Sequence, residues 1–123
     1  MSDSVRVLIA DDHPLVLGAL REAVSGAIAG ARISEATDFE SLAAALEETP
    51  DMDLVLLDLH MPRMDGYALA EAGLQLRPEL KILLMTGYAQ EPPPQIMRTR
   101  KIQVLHKPFN LEVLCNLATE MVA

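Results

Sequence analysis

Asp53-Leu54-Val55-Leu56-Leu57-Asp58-Leu59-His60-Met61-Pro62 is an apolar run that ends in an acid and meets a proline four residues later. Four consecutive apolar residues, Leu54 to Leu57, read as a strand buried on both faces, as in a parallel sheet. Such a strand has no use for a carboxylate in its body. Asp58 therefore falls at the strand's C-terminal mouth, where open α/β sheets bind their ligands.

Working outward, the same grammar repeats. Val5-Arg6-Val7-Leu8-Ile9-Ala10 is a short strand ending at Asp11-Asp12. Pro14 suits the first turn of a helix, where a missing N–H costs nothing. Leu15, Leu17, Ala19-Leu20 and Val24 give that helix an apolar face, with Gly26 near its end. Arg32-Ile33-Ser34-Glu35-Ala36 is a weaker strand. Thr37 and Glu40 have capping-box spacing, ahead of Phe39, Leu42, Ala43 and Leu46 at helical spacing. After the Asp58 strand, Met64-Asp65-Gly66 opens a third helix over Tyr67–Leu76, weakened by Gly73 and closed by Arg77-Pro78.

Lys81-Ile82-Leu83-Leu84-Met85-Thr86 is a fourth strand ending in a hydroxyl. Pro92-Pro93-Pro94 allows only a short helix, Pro94 to Thr99. Ile102-Gln103-Val104-Leu105-His106 is a fifth strand ending at Lys107-Pro108. Asn110 then caps a last helix that buries Leu111, Leu114, Leu117-Ala118 and Met121. Five alternations of strand and helix imply an α/β domain with a parallel sheet and helices on both faces.

Composition sets outer bounds. The length of 123 residues suits one domain, and half of them are hydrophobic, enough for one core. With two Phe, two Tyr and no Trp, that core must be aliphatic. Cys115 is the lone cysteine and cannot form an internal disulfide, which fits a reducing compartment. No apolar run is long enough to span a bilayer and no signal segment is evident, so a cytoplasmic location without membrane contact is expected. Net charge is −8, which argues against direct nucleic-acid binding. Residues 1–60 carry 12 acids and 3 bases, whereas residues 61–123 carry 6 acids and 7 bases. Arg98, Arg100, Lys101 and Lys107 read either as a solvated face or as a basic patch for an acidic partner.

Four of the five strands end in polar groups: Asp11-Asp12, Asp58, Thr86 and Lys107. Taken singly, each has an ordinary reading, as helix cap, turn residue or solvated charge. On one edge of one parallel sheet they form a set. Three carboxylates in a cleft repel one another, and a hard cation such as Mg²⁺ resolves that conflict while also binding phosphate. A nucleophilic carboxylate, a metal, a fixed cation and a hydroxyl donor are the equipment for phosphoryl transfer onto Asp58.

Ile9-Ala10-Asp11-Asp12, Leu56-Leu57-Asp58-Leu59-His60-Met61-Pro62, Met64-Asp65-Gly66, Met85-Thr86-Gly87 and His106-Lys107-Pro108-Phe109 resemble the receiver domain of two-component response regulators. The resemblance covers essentially the whole chain. It implies a flavodoxin-like, doubly wound sheet of order 2-1-3-4-5, and residues 1–123 as a single receiver domain with no effector domain. It implies that Asp58 is the phosphoacceptor and that Asp11, Asp12, Asp58 and the backbone carbonyl of His60 hold Mg²⁺. Thr86 and Lys107 would contact the phosphoryl group, and the Lys107–Pro108 peptide would be cis. The donor would be a phosphohistidine on a histidine kinase or phosphotransfer protein, and the domain would catalyse loss of its own phosphate. Output would pass to a downstream protein or a missing effector domain. A homodimer through the fourth helix, fifth strand and fifth helix stays open.

This chain also departs from the family pattern. Many receivers carry a mobile aromatic three positions before the lysine, where this chain has Val104. The three prolines fall where a regular fourth helix is usual. His60 and Tyr88 are bulky at positions that flank the attacking water, which leads us to expect slow dephosphorylation. His13, His60 and His106 lack the close spacing of zinc ligands and read as ordinary polar positions. Cys115 reads as a buried, inert thiol. The first half resembles receivers of DNA-binding regulators and the second those of hybrid kinases; a recombined or engineered chain and a single lineage both accommodate this.

Three other classes stand beside this reading. A receiver-like binding module, whose output is not controlled by phosphorylation, is kept alive by Val104 and the prolines. A phosphatase of the haloacid dehalogenase type would need a second acid two residues after a nucleophile on the first strand. Flavin binding would need a phosphate loop after that strand.

Overall fold

The computed structural model describes residues 4–58, 79–86, 102–107 and 109–122. Within them, β1 (Arg6–Ala10), β2 (Arg32–Ala36), β3 (Leu54–Asp58), β4 (Lys81–Thr86) and β5 (Ile102–His106) form one sheet. The strand order is β2-β1-β3-β4-β5, and every neighbouring pair is parallel. This is the expected flavodoxin-like order. The helices α1 (Pro14–Ala27), α2 (Phe39–Glu48) and α3 (Leu111–Val122) cover it. The helices expected over Tyr67–Leu76 and Pro94–Thr99, and the prolines of the latter segment, lie outside the described residues.

Strand alternation divides the core between the two faces of the sheet. Leu8, Ala10, Val55, Leu57, Ile82 and Leu84 point to the α2 side, where they meet Leu42. Val7, Ile9, Leu54, Leu56, Leu83 and Met85 point to the other side and meet Leu17, Leu20 and Val24 of α1 and Leu114 and Ala118 of α3. β3 is buried along its whole length, which is why its sequence is continuously apolar. β2, at the sheet edge, is mostly exposed and reads correspondingly weakly.

The helix ends correct three expectations. Leu15 is 91% exposed and Ala19 is also exposed, so α1 buries only Leu17, Leu20 and Val24. Leu111, the first residue of α3, is 42% exposed, while Leu114, Ala118 and Met121 are buried. The capping box of α2 is formed by Asp38 and Ser41, not by Thr37 and Glu40: Asp38 Oδ1 accepts from Ser41 N at 2.8 Å, and Ser41 Oγ accepts from Asp38 N at 3.3 Å. The expected cap of α3 is present, with Asn110 Oδ1 accepting from Val113 N at 2.8 Å. α1 runs through Gly26 to Ala27, and Gly30, at φ 75°, makes the turn into β2 that a side chain would resist. No helix among the described residues is long and apolar enough to cross a membrane.

Candidate functional site

The sheet delivers its polar strand ends to one edge. Ala10 pairs with Leu57, so Asp11 follows β1 level with Asp58 at the end of β3. Asp58 pairs with Met85, and Thr86 with His106, which places Thr86 and Lys107 one step further along. Lys107 N donates to Thr86 O at 2.6 Å, so the ladder holds the lysine backbone one residue past β5. Asp11 N likewise donates to Ala36 O at 3.0 Å, tying the acid to β2.

Asp11 and Asp58 are fully buried, and Thr86 nearly so. A buried carboxylate must be paired or hydrogen-bonded to offset its lost hydration. For Asp58, Lys107 Nζ stands 3.3 Å from Oδ1. Asp11 Oδ1 accepts from His13 N at 2.9 Å, while its buried Oδ2 has no hydrogen-bond partner among the described residues. Burial pushes the Asp11 carboxyl above its ordinary value. The His13 backbone N–H opposes that, and the neighbouring Asp58 carboxylate adds to it. Neither acid of the first loop caps α1: the N-cap is His13, and no side chain makes a cap hydrogen bond there.

Asp11, Asp12, His13 and Asp58 each offer a ligand atom, and these atoms all lie within 4.8 Å of one another. Three carboxylates, with the buried Oδ2 of Asp11 lacking a hydrogen-bond partner among the described residues, suit a hard divalent cation, whose ligands are oxygens. The residues present therefore fit Mg²⁺. His60, whose carbonyl the resemblance adds to the ligand set, lies outside the described residues, as do Tyr88 and Pro108.

His13 is the member of the cluster that sequence reasoning set aside. Its side chain is 65% exposed, yet Nδ1 lies 3.1 Å from Asp11 Oδ1 and 2.9 Å from Asp12 Oδ1. Its place between an acid pair and a helix-starting proline is the only signal the chain gives. His106 is exposed at the end of β5. Cys115 is half-buried, its Sγ donates to Ala23 O at 3.3 Å, and burial pushes its pKa up, as an inert thiol requires. Val104 is half-buried against the α2-side core.

A parallel sheet of this order, with buried acids and a lysine at the carboxyl ends of its strands, defines a flavodoxin-like domain with an acidic pocket. The chain belongs to the response regulator receiver domain family, whose model matches residues 7–119. It is thus a receiver domain of two-component systems.

The response regulator receiver protein CpdR of Brucella abortus (strain 2308) is 34% identical over 117 residues, covering 94% of this chain and 95% of CpdR. The sensor kinase CckA of the same organism is 31% identical over 124 residues, covering 98% of this chain but 13% of the kinase. The glycerol metabolism activator of Pseudomonas putida is 39% identical over 61 residues, half of this chain and 28% of the activator. Among solved structures, a CheY-like receiver domain protein from Methanospirillum hungatei JF-1 superposes with a TM-score of 0.81 at 26% identity, covering 98% of this chain and 94% of that one.

Proposed function

We propose that the domain is a phosphorelay switch that accepts a phosphoryl group from a phosphohistidine onto Asp58 in a Mg²⁺-dependent reaction. The observation that carries this reading is the setting of Asp58: fully buried at the mouth of β3, with a lysine ammonium 3.3 Å from Oδ1 and two more acids within 4.8 Å. A solvated surface acid has no need of such surroundings.

An Asp58 carboxylate oxygen attacks phosphorus, the P–N bond to the donor imidazole breaks, and the imidazole departs with the bonding pair. The product is an acyl phosphate on Asp58. Lys107 stands where negative charge gathers on Asp58 and on the arriving oxygens, and its ammonium offsets both. The Thr86 hydroxyl, at the end of the adjacent strand, donates to a phosphoryl oxygen. Asp11 and Asp12, with Asp58 and the His60 carbonyl, would hold the cation. When bound, Mg²⁺ neutralises charge on the equatorial oxygens of the transferring group. The donor is a histidine kinase or a phosphotransfer protein, and the same pocket hydrolyses the acyl phosphate slowly.

The test is incubation with Mg²⁺ and acetyl phosphate followed by intact mass. Wild type should gain one phosphate and Asp58→Asn none. Equal labelling of both would remove Asp58 from the role of acceptor. A second reading, a binding module whose output ignores phosphorylation, is favoured by Val104, which packs on the core and has no ring to relocate. Absence of labelling in the wild type would support it.

A further inference from the structure

The acids of the pocket do not stand alone: His13 turns its ring nitrogen onto them. Nδ1 is 2.9 Å from Asp12 Oδ1 and 3.1 Å from Asp11 Oδ1, although the ring is otherwise mostly in solvent. The His13 backbone N–H is already bonded to Asp11 Oδ1, so the loop itself fixes the residue at the pocket. Two donors that share an octahedral divalent cation at adjacent positions, each about 2.1 Å from it, stand about 3 Å apart. The spacing of Nδ1 from the two carboxylate oxygens suits a shared cation as well as a shared proton. Independently, Asp11 Oδ2 is buried and has no hydrogen-bond partner among the described residues, which leaves its lone pairs available to a cation.

We propose that His13 is a metal ligand of this pocket, supplying a nitrogen through Nδ1, and that the site prefers a borderline divalent transition ion to Mg²⁺. This rests on the reading of Asp11, Asp12 and Asp58 as a cation site. Carboxylates alone suit Mg²⁺, whereas imidazole selects ions further along the first transition series. One nitrogen among oxygens shifts selectivity without abolishing Mg²⁺ binding. In this chain the histidine is offered by a loop that carries two of the acids, so the ring reaches the cation with little rearrangement.

The experiment compares Co²⁺ and Mg²⁺ affinities by calorimetry for wild type, His13→Ala and Asp12→Ala, and records the electron spin-echo spectrum of bound Mn²⁺. Wild type should bind Co²⁺ more tightly than Mg²⁺ and show nitrogen modulation from one imidazole. His13→Ala should lose Co²⁺ affinity by about 10- to 100-fold, as losses of metal-site groups commonly do, keep its Mg²⁺ affinity within about twofold, and lose the modulation. Retained Mg²⁺ binding in that variant also shows that it folds. Unchanged Co²⁺ affinity, or nitrogen modulation that is absent from wild type or survives in His13→Ala, overturns the ligand role of His13 and leaves the acidic site standing. Metal binding unaffected by Asp12→Ala overturns the acidic site itself, and this inference with it.

Discussion

Asp11 shows how the site works against the fold. Its carboxyl is pushed above the ordinary value of 3.8, chiefly by burial, with the Asp58 charge adding to the effect. A raised acid pKa means that the folded state holds the proton more tightly than the unfolded chain does. The stability this brings is fully present below 3.8 and is lost as pH rises through the higher folded-state value. Near neutrality, without metal, ionised Asp11 is therefore a burden. Asp11→Asn should melt at a higher temperature than wild type at pH 7 in a chelator, and the gap should close as the pH is lowered toward 4. Thermal melts across that range check both parts. A variant that melts lower at pH 7 would show that the amide loses more in the loop than the charge costs.

At the scale of elements, burial decides what each helix contributes. Leu114 and Leu111 sit three residues apart on α3, yet the first is fully buried and the second 42% exposed. Leu114→Ala should cost about 2–5 kcal/mol, the usual range for emptying a packed leucine site. Leu111→Ala should stay within about 0.5 kcal/mol, as surface changes do. Denaturant unfolding of the two variants measures the contrast, and similar losses would mean that the start of α3 packs more deeply than the structure shows. α2 depends instead on its cap. The Asp38 carboxyl is held below 3.8 by the Ser41 backbone N–H, with a smaller contribution from the Ser41 hydroxyl. A lowered acid pKa gives stability that is present above 3.8 and lost as pH falls through the lower folded-state value. Asp38→Ala should lower the melting temperature at pH 7, and the deficit should shrink in strong acid. A deficit that is constant with pH would mean that the charge on Asp38 is irrelevant to the cap.

These two helices also show why the sequence is legible in some places and not in others. β3 and the body of β4 coincide with continuous apolar runs, because a strand covered on both faces leaves little room for polar residues until it reaches the edge. That same edge made Asp11, Asp58, Thr86 and Lys107 conspicuous. Helix ends lack such a constraint. Leu15 and Leu111 continue an apolar spacing into the first turn of a helix, where both are exposed, and Thr37 and Asp38 are both competent caps one residue apart. The place of His13 was illegible for a related reason: an exposed ring has several rotamers, and no pattern in the sequence distinguishes the one that faces the acids.

Across the described residues, the acidic first half and the near-neutral second half meet along the β3–β4 ladder, and the pocket lies at its carboxyl end. All three carboxylates of the pocket come from residues 1–60, the segment with 12 acids and 3 bases, and Lys107 comes from the other half. Asp11 and Asp58 are fully buried at the strand ends, so the repulsion among the acids acts on the folded state and is dispersed when the chain unfolds. A divalent cation that binds only the folded state stabilises it by about 2.7 kcal/mol at one hundred times its dissociation constant. For a domain of this size that corresponds to a rise in melting temperature of about 10 °C. Mg²⁺ should therefore raise the melting temperature of wild type progressively with concentration, while NaCl at matched ionic strength should raise it far less. Asp12→Ala should give a flat Mg²⁺ response above the NaCl baseline. An equal gain from Mg²⁺ in wild type and in Asp12→Ala would mean that the cation acts by screening the −8 net charge at large. A gain specific to wild type would mean that the strain of gathering these acids is relieved at the strand edge itself, by the ligand the proposed chemistry requires.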